Sequence, residues 1–449
     1  MIDLLLRHAS VQDSEEYLDL AVDHGFVVDR GFELNYTADR ELDLNGNLLI
    51  PGFVESHLHL DIALMNDWTR PGRPRPFRSP VELNQAMELR RKAFTRSEIE
   101  MRAGEALELA CRHGVTAMRA QCHVDPDVGL RHLEALVAVR EKYRQRITLQ
   151  IVAFPQQGLF YRPGSLDLFI NAFHCGADVM GCASNLERGT GITFRDHIDA
   201  AIDLAMEMDV DLDLHADLGI PATVELEDLE IVHAARRTIE RGYQGRVTAG
   251  HVCALDSALP EVADEAIALI REAQISVISQ PDMYRLGRED TNHVRRGLTR
   301  VKQMLAAGVN VAYASNNVRD AFRPLGNFDL LEEGLVLAYG AHMDSVEELE
   351  TLLKMSTYNA ARLMGLERYG LETGCQADFV ILDAPTPSAA IVGQAEKLYV
   401  FKAGRLVGQN QRTSTLFEYP GAHKNHPDTF SDEMSLDEAV TIRDFQTRR

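Results

Sequence analysis

The feature that most constrains the fold is a repeated alternation of short apolar runs with longer amphipathic stretches through the middle of the chain. Strands are expected at 148–154, 179–182, 211–215, 246–251, 276–279 and 310–315, with helical periodicity at 131–143, 194–208, 228–241 and 261–273. Thr95-Arg-Ser-Glu98 reads as a capping box that opens a further helix, and His113-Gly114 ends it before a strand at Val115-Thr-Ala-Met118. Such alternation implies βαβ units and a parallel sheet. With the strand that ends near His57, the count reaches eight, the number that closes a (β/α)8 barrel.

Both chain ends read differently. Leu4 to His8, Gly25-Phe-Val-Val-Asp29 and Leu42-Asp-Leu44 are short strand candidates, and Asn45-Gly46 is a hairpin-turn signal. After residue 370, Asp378-Phe-Val-Ile-Leu382 and Leu398-Tyr-Val-Phe401 follow, with Ala403-Gly404 as a turn. The expected fold is therefore α/β: a TIM-type (β/α)8 barrel over 52–365, with 1–51 and 366–410 forming one small composite β-sandwich domain. The tail, 411–449, is polar and receives no fold.

Charge and composition narrow the partners. Acidic residues outnumber basic ones 68 to 46, a net charge of −22, which repels a phosphate backbone and argues against a nucleic-acid polymer. No run approaches the ~18 apolar residues that span a bilayer, and the first residues lack the pattern of a secretory signal. Six cysteines are scattered without a CxxC pair, as in a reducing compartment, and only Cys253 falls near a candidate site. A cytoplasmic protein that associates with itself is expected.

The histidines carry the chemistry. With 16 of them, an HxH pair arises by chance about 0.6 times per chain, so His57-Leu-His59 means little alone. Its setting raises its weight: a strand runs into it, and period-2 alternation puts both imidazoles on one face. His215 and His251 close predicted strands in the same way. At the C-terminal mouth of a barrel, four such rings would converge on the active site and suit one divalent ion, zinc or iron. His113, His132, His197 and His233, on helices or loops, read as structural.

At this point the chain resembles a known family. Pro51-Gly-Phe-Val-Glu-Ser-His-Leu-His-Leu-Asp61, His215, His251 and Ser315-Asn-Asn-Val-Arg-Asp320 are similar to the amidohydrolase superfamily, in its cytosine-deaminase-like branch. Leu149-Gln-Ile-Val-Ala-Phe-Pro-Gln156, Gly297–Met304 and Gly374–Ile381 extend the likeness. The Asn-Val-Arg-Asp segment with Pro324-Leu-Gly326 also resembles the N-isopropylammelide amidohydrolases, triazine-ring enzymes of that branch. The resemblance implies that His57, His59 and His215 hold one metal ion and that His251 lies beside it. It also implies that Gln156 binds the substrate ring, with Asn317 and Asp320 as further substrate-binding candidates. No lysine is present at Ala177-Asp-Val-Met-Gly181 to bridge a second ion.

Two departures matter. The family's aspartate after the eighth strand is Asn316 here, and the glutamate three residues after the strand-five histidine is Leu218. An amide cannot accept the proton of an attacking water. The catalytic set is therefore His251 as proton acceptor, Asn316 at the aspartate's position, and Asp217 as a weaker candidate; Asp217 and Asp320 read equally well as loop-capping carboxylates. The expected activity is attack of a metal-bound hydroxide at a ring amidine, amide or thioamide carbon of a small nitrogen heterocycle. That covers deamination, dealkylamination, or desulfuration of a cyclic thiourea such as a thiohydantoin. The alternatives are an amidohydrolase-like binding protein without catalysis, or an engineered variant in which Asn316 replaces the catalytic aspartate.

Overall fold

The computed structural model describes residues 1–66, 80–187, 190–219, 221–281 and 297–415. Eight parallel strands follow one another in chain order around a single sheet: β1 Phe53–Leu58, β2 Val115–His123, β3 Thr148–Phe154, β4 Val179–Cys182, β5 Asp211–Ala216, β6 Val247–His251, β7 Ser276–Ser279 and β8 Val311–Tyr313. The sheet closes at its C-terminal rim. Leu58 and Asn316 form a parallel bridge, the Asn316 N–H donates to the His57 carbonyl (2.9 Å), and the His59 N–H donates to the Asn316 carbonyl (2.9 Å). Closure at this point draws the ends of β1 and β8 together, and the candidate residues sit on those ends.

The interstrand helices bury one face each. In the helix Phe194–Glu207 the buried positions are His197, Ile198, Ala201, Ile202 and Ala205, the i, i+3, i+4 stripe of a helix lying on a sheet. Thr193 and Asp196 cap it reciprocally. The box expected at Thr95 is only half made: Thr95 Oγ1 accepts from the Glu98 N–H (3.2 Å), while the Glu98 carboxylate turns to Arg102 at 3.9 Å.

Both ends of the chain build two four-stranded sheets. One contains Phe26–Gly31, Leu18–Asp23, Ile2–Ala9 and Ala38–Asp43 in that order; the other pairs Arg405–Gln409, Lys397–Lys402 and Phe379–Leu382 with Leu48–Pro51 from the N-terminal region. Leu4, Leu20 and Leu49 share one apolar core with Phe379, Ile381 and Phe401, so the two sheets form a sandwich. Residues Met1–Gln411 make up one compact unit.

Two local expectations are corrected. Asn45 and Gly46 do adopt positive φ (51° and 79°) in a tight turn, but the flanking strands diverge into different sheets, so the turn is not a hairpin. The strand expected to run into His57-Leu-His59 is two strands, Leu48–Pro51 and β1. It breaks at Gly52, whose N–H donates to the Asp378 carbonyl (3.0 Å), and a Cβ there would lie 2.2 Å from the Thr116 side chain. The chain passes at this glycine from the sandwich into β1. Among the described residues, no helix is long and apolar enough to cross a membrane.

Candidate active site

The four strand-end histidines meet at the C-terminal rim of the barrel. His57 ends β1 one residue before its last position, His59 follows that strand, His215 lies in β5, and His251 ends β6. All four are buried. The His57 and His215 ring centroids are 4.6 Å apart, His59 and His215 5.4 Å, and His215 and His251 5.3 Å. One nitrogen from each of His57, His215 and His251 falls within 4.8 Å of the others. His59 joins through Nε2, which is 3.3 Å from Nε2 of His215. His251 thus stands as close to His57 and His215 as a ligand would. Its backbone is turned into the left-handed region (φ 73°), as is that of Val252 (φ 51°). For a β-branched residue this costs about 1–3 kcal/mol. The bond from the Val252 N–H to the Ala216 carbonyl (3.0 Å) helps hold the turn.

Several observations show that the cluster fits an ion. Nε2 of His57 is buried and has no hydrogen-bond partner among the described residues. Burial, with the neighbouring His57 and His123 rings, holds His59 well below the usual histidine range, in the neutral form that ligates. Two nitrogens about 2.0–2.1 Å from one tetrahedral zinc are themselves about 3.3 Å apart. The His59–His215 separation has that value.

His57 is oriented from beneath. Its Nδ1 faces the Gln121 amide nitrogen (3.3 Å) and Oδ1 of Asp213 (3.6 Å), which leaves Nε2 toward the cluster. Asp213 is fully buried and also accepts from Gln121 (2.9 Å), Arg119 (3.2 Å) and Thr248 (3.0 Å). Burial works against its charge, but the His57 and Arg119 partners hold its carboxyl well below the usual range. A carboxylate behind a ligating imidazole fixes its tautomer and raises its basicity. Asp213→Asn should therefore lower metal affinity roughly 10–100-fold in a chelator competition. Unchanged affinity would remove Asp213 from this role.

The candidates after β8 divide. Asn316 is the closing residue of the barrel, at φ 61°, and is buried between His57 and His59 through its main chain. The Asn317 amide donates to Oδ2 of Asp320, whose Oδ1 accepts from the Phe322 and Arg323 N–H groups (2.9 Å each). Asp320 therefore organises its own loop. Asp217 is engaged similarly: its two oxygens accept from the Glu230 (2.7 Å) and Ile231 (3.1 Å) N–H groups, at the start of the helix Glu230–Arg241. Burial and the adjacent Glu230 carboxyl raise its pKa. Leu218 is half-buried beside it.

Glu55 lies under this loop. It is buried and accepts from the Ser315 N–H (3.0 Å), and burial pushes its pKa up to about 7. The folded value exceeds the unfolded one, so its contribution is complete below pH ~4.5 and is lost as pH rises through about 7. At about 1.4 kcal/mol per unit, the loss is on the order of 3 kcal/mol. Urea midpoints at pH 5 and 8 should converge in Glu55→Gln relative to the natural protein; an equal pH response in both would contradict this.

Gln156 follows β3 and lines a cavity of about 200 Å³ with Met87, Glu88, Tyr161 and Phe322. Its oxygen lies 2.8 Å from Nε2 of His123. Nδ1 of His123 and Nδ1 of His132 both reach Oδ2 of Asp61, at 2.6 and 2.7 Å. Burial raises and the two rings lower the Asp61 pKa, and the rings prevail, leaving it well below the carboxylate range. Sequence reasoning assigned His132 a structural role and gave Asp61, His123 and Asp213 none. The alternating positions 119, 121 and 123 on one strand were the available signal, since they face one side of β2.

Comparison with known proteins agrees with this geometry. Residues 80–407 match the model of the amidohydrolase family. The chain is 29% identical over 418 residues to N-isopropylammelide isopropyl amidohydrolase of Pseudomonas sp. (strain ADP), covering 91% of this chain and 98% of that one. It is 29% identical over 387 residues to a pterin deaminase of Rhizobium rhizogenes, covering 83% and 84%. The crystal structure of 5-methylcytosine deaminase from Klebsiella pneumoniae, liganded with phosphonocytosine, superposes with a TM-score of 0.82 at 30% identity, covering 93% of this chain and 100% of that one. The barrel, the rim of histidines and these relatives together place the chain in the amidohydrolase family, as a metal-dependent hydrolase of C–N bonds.

Proposed function

We propose that the chain hydrolyses a small nitrogen heterocycle at an amidine, amide or thioamide ring carbon, with one zinc or iron ion held by His57, His59 and His215 and with His251 beside it or as a fourth ligand. The observation that carries this reading is the buried cluster of four imidazoles on the barrel rim, with His59 and His215 at ligand spacing. The relatives' own ring substrates, an ammelide, a pterin and a methylcytosine, support the substrate class. A bound divalent ion supplies Lewis acidity that brings the pKa of water from 15.7 to about 7.

The chain's own residues do the rest. Where it stands beside the ion rather than on it, His251 takes the proton, because a neutral imidazole nitrogen can accept one and the Asn316 amide cannot. Gln156 holds the ring, with Asn317 fixed by Asp320 on the loop after β8. Both oxygens of Asp217 and Oδ1 of Asp320 accept from backbone N–H groups, and Oδ2 of Asp320 accepts from the Asn317 amide, which favours structural roles for both. Leu218 leaves the leaving group without a carboxylic acid at that position, which favours one that departs as an anion, such as the sulfide of a cyclic thiourea.

A panel of aminopyrimidines, alkylaminotriazines, hydantoins and thiohydantoins, read by product mass, tests the reading. Turnover of at least one ring is expected, with the thio-substituted rings ahead of their amino counterparts. No turnover on any ring by metal-loaded protein would overturn it.

A further inference from the structure

A further cavity lies at the other end of the barrel. About 290 Å³ in volume, it sits among Asp211 at the start of β5, Arg246 just before β6, Ser276 at the start of β7 and Asn310 just before β8. Asp211 and His215 are four positions apart on β5, so about 13 Å of strand, at ~3.3 Å per residue, separates the cavity from the histidine rim. Its floor is fixed, because Arg119 donates to Oγ1 of Thr248 and to the Leu363 carbonyl, both at 3.0 Å.

Three guanidinium groups line the cavity, and they are not answered alike. Arg246 is paired, its Nε to Oδ1 of Asp211 (2.8 Å) and its Nη1 to Oδ1 of Asp209 (2.5 Å). Arg271, in the last turn of the helix Pro260–Glu272, makes no side-chain hydrogen bond or ion pair among the described residues. Arg362, in the helix Tyr358–Leu363, only approaches Oδ1 of Asn310 at 3.5 Å. A chain with 68 acidic and 46 basic residues has carboxylates to spare, yet none among the described residues pairs with these two. A neutral donor joins them. Nδ2 of Asn310 donates to the Asn359 carbonyl and to Oγ of Ser276, both at 3.1 Å, so the Ser276 hydroxyl accepts there and keeps its own O–H for a ligand.

We infer that this cavity is a ligand site for a small dianion, a dicarboxylate or a phosphate, held between Arg271 and Arg362. Guanidinium forks match the paired oxygens of both groups. The volume lies at the low end of ligand pockets, which keeps the ligand small. The net charge of −22 opposes a polyanion spread over the surface, but not one small group enclosed by two cations. The site stands apart from the histidine rim and does not depend on what is hydrolysed there.

The test is a calorimetric titration of the full metal-loaded chain, at constant ionic strength, with inorganic phosphate, succinate and, as a singly charged control, acetate. At least one dianion should bind once per chain with Kd below about 1 mM, and acetate at least about tenfold more weakly. Arg271→Ala and Arg362→Ala should each weaken that binding at least about tenfold, the scale of a lost hydrogen bond to a charged group. Arg271→Lys, which keeps the charge without the fork, should retain part of it. Circular dichroism of these variants should be unchanged, since both side chains are exposed. An ion at the histidine rim also attracts anions, so His57→Ala is titrated beside them and should bind as the natural protein does. Binding of phosphate alone identifies a phosphate group as the ligand, and binding of succinate alone a dicarboxylate; binding of both identifies a site for either. No saturable binding of either dianion, binding that neither alanine variant weakens, or binding that disappears in His57→Ala would overturn the inference.

Discussion

His57→Ala should lose most of its bound metal and at least about 10³ of its turnover. The argument begins at one atom. Nε2 of His57 is buried without a hydrogen-bond partner among the described residues, while Nδ1 is directed to Gln121 and Asp213. That polarity leaves Nε2 for an ion. Catalytic zinc sites rely on three protein ligands, so removing one weakens the site and with it the drop in water pKa from 15.7 to about 7. The fold should survive, because Asp213 keeps Arg119, Gln121 and Thr248 as partners. Metal analysis, circular dichroism and turnover on one preparation check all three parts. Full metal and full activity would show that the ion lies elsewhere.

The second large effect separates two origins for Asn316. Its backbone sits at φ 61° and is bonded on both sides to β1, at the His57 carbonyl and the His59 N–H. Asparagine and aspartate both tolerate that region, so Asn316→Asp changes the charge without moving the chain. In a natural enzyme that works through His251, the added charge beside the ion raises the pKa of water there and turnover does not improve. His251→Ala should then cost at least about 10²-fold, the usual scale of a general base. Rate profiles of both variants on the same ring decide the matter. A gain of several orders of magnitude in Asn316→Asp would instead mark the asparagine as a substitution that disabled a carboxylate base.

The barrel was legible because its signal is periodic and local. Each strand from β3 to β8 is an apolar run between helical stretches, β6 ends on His251, and β5 ends one residue past His215. What escaped was non-local. Leu18–Asp23 was not anticipated as a strand because Asp19 and Asp23 cut its apolar run to three residues, and its pairing with Ile2–Ala9 and Phe26–Gly31 defines it. Asn45-Gly46 carries the chemistry of a hairpin, yet tertiary pairing sends its two arms to different sheets. In the site, histidines at strand ends could be read directly. Asp61, His123 and Asp213 could not, because their roles come from partners 33 or more positions away, at His123–Gln156, Asp61–His123 and Gln121–Asp213. Asp217 and Asp320 read in sequence as either proton acceptors or loop caps, and the structure gives both Asp217 oxygens and Oδ1 of Asp320 to backbone N–H groups.

The most direct test is a metal titration of chelator-treated protein, followed by turnover on the best ring in the panel. With zinc or iron, activity should rise linearly and saturate at one ion per chain, and His57→Ala should stay flat over the same range. Activity that is independent of added metal, or that saturates only at two ions, would contradict a single ion held by the histidines of the barrel rim.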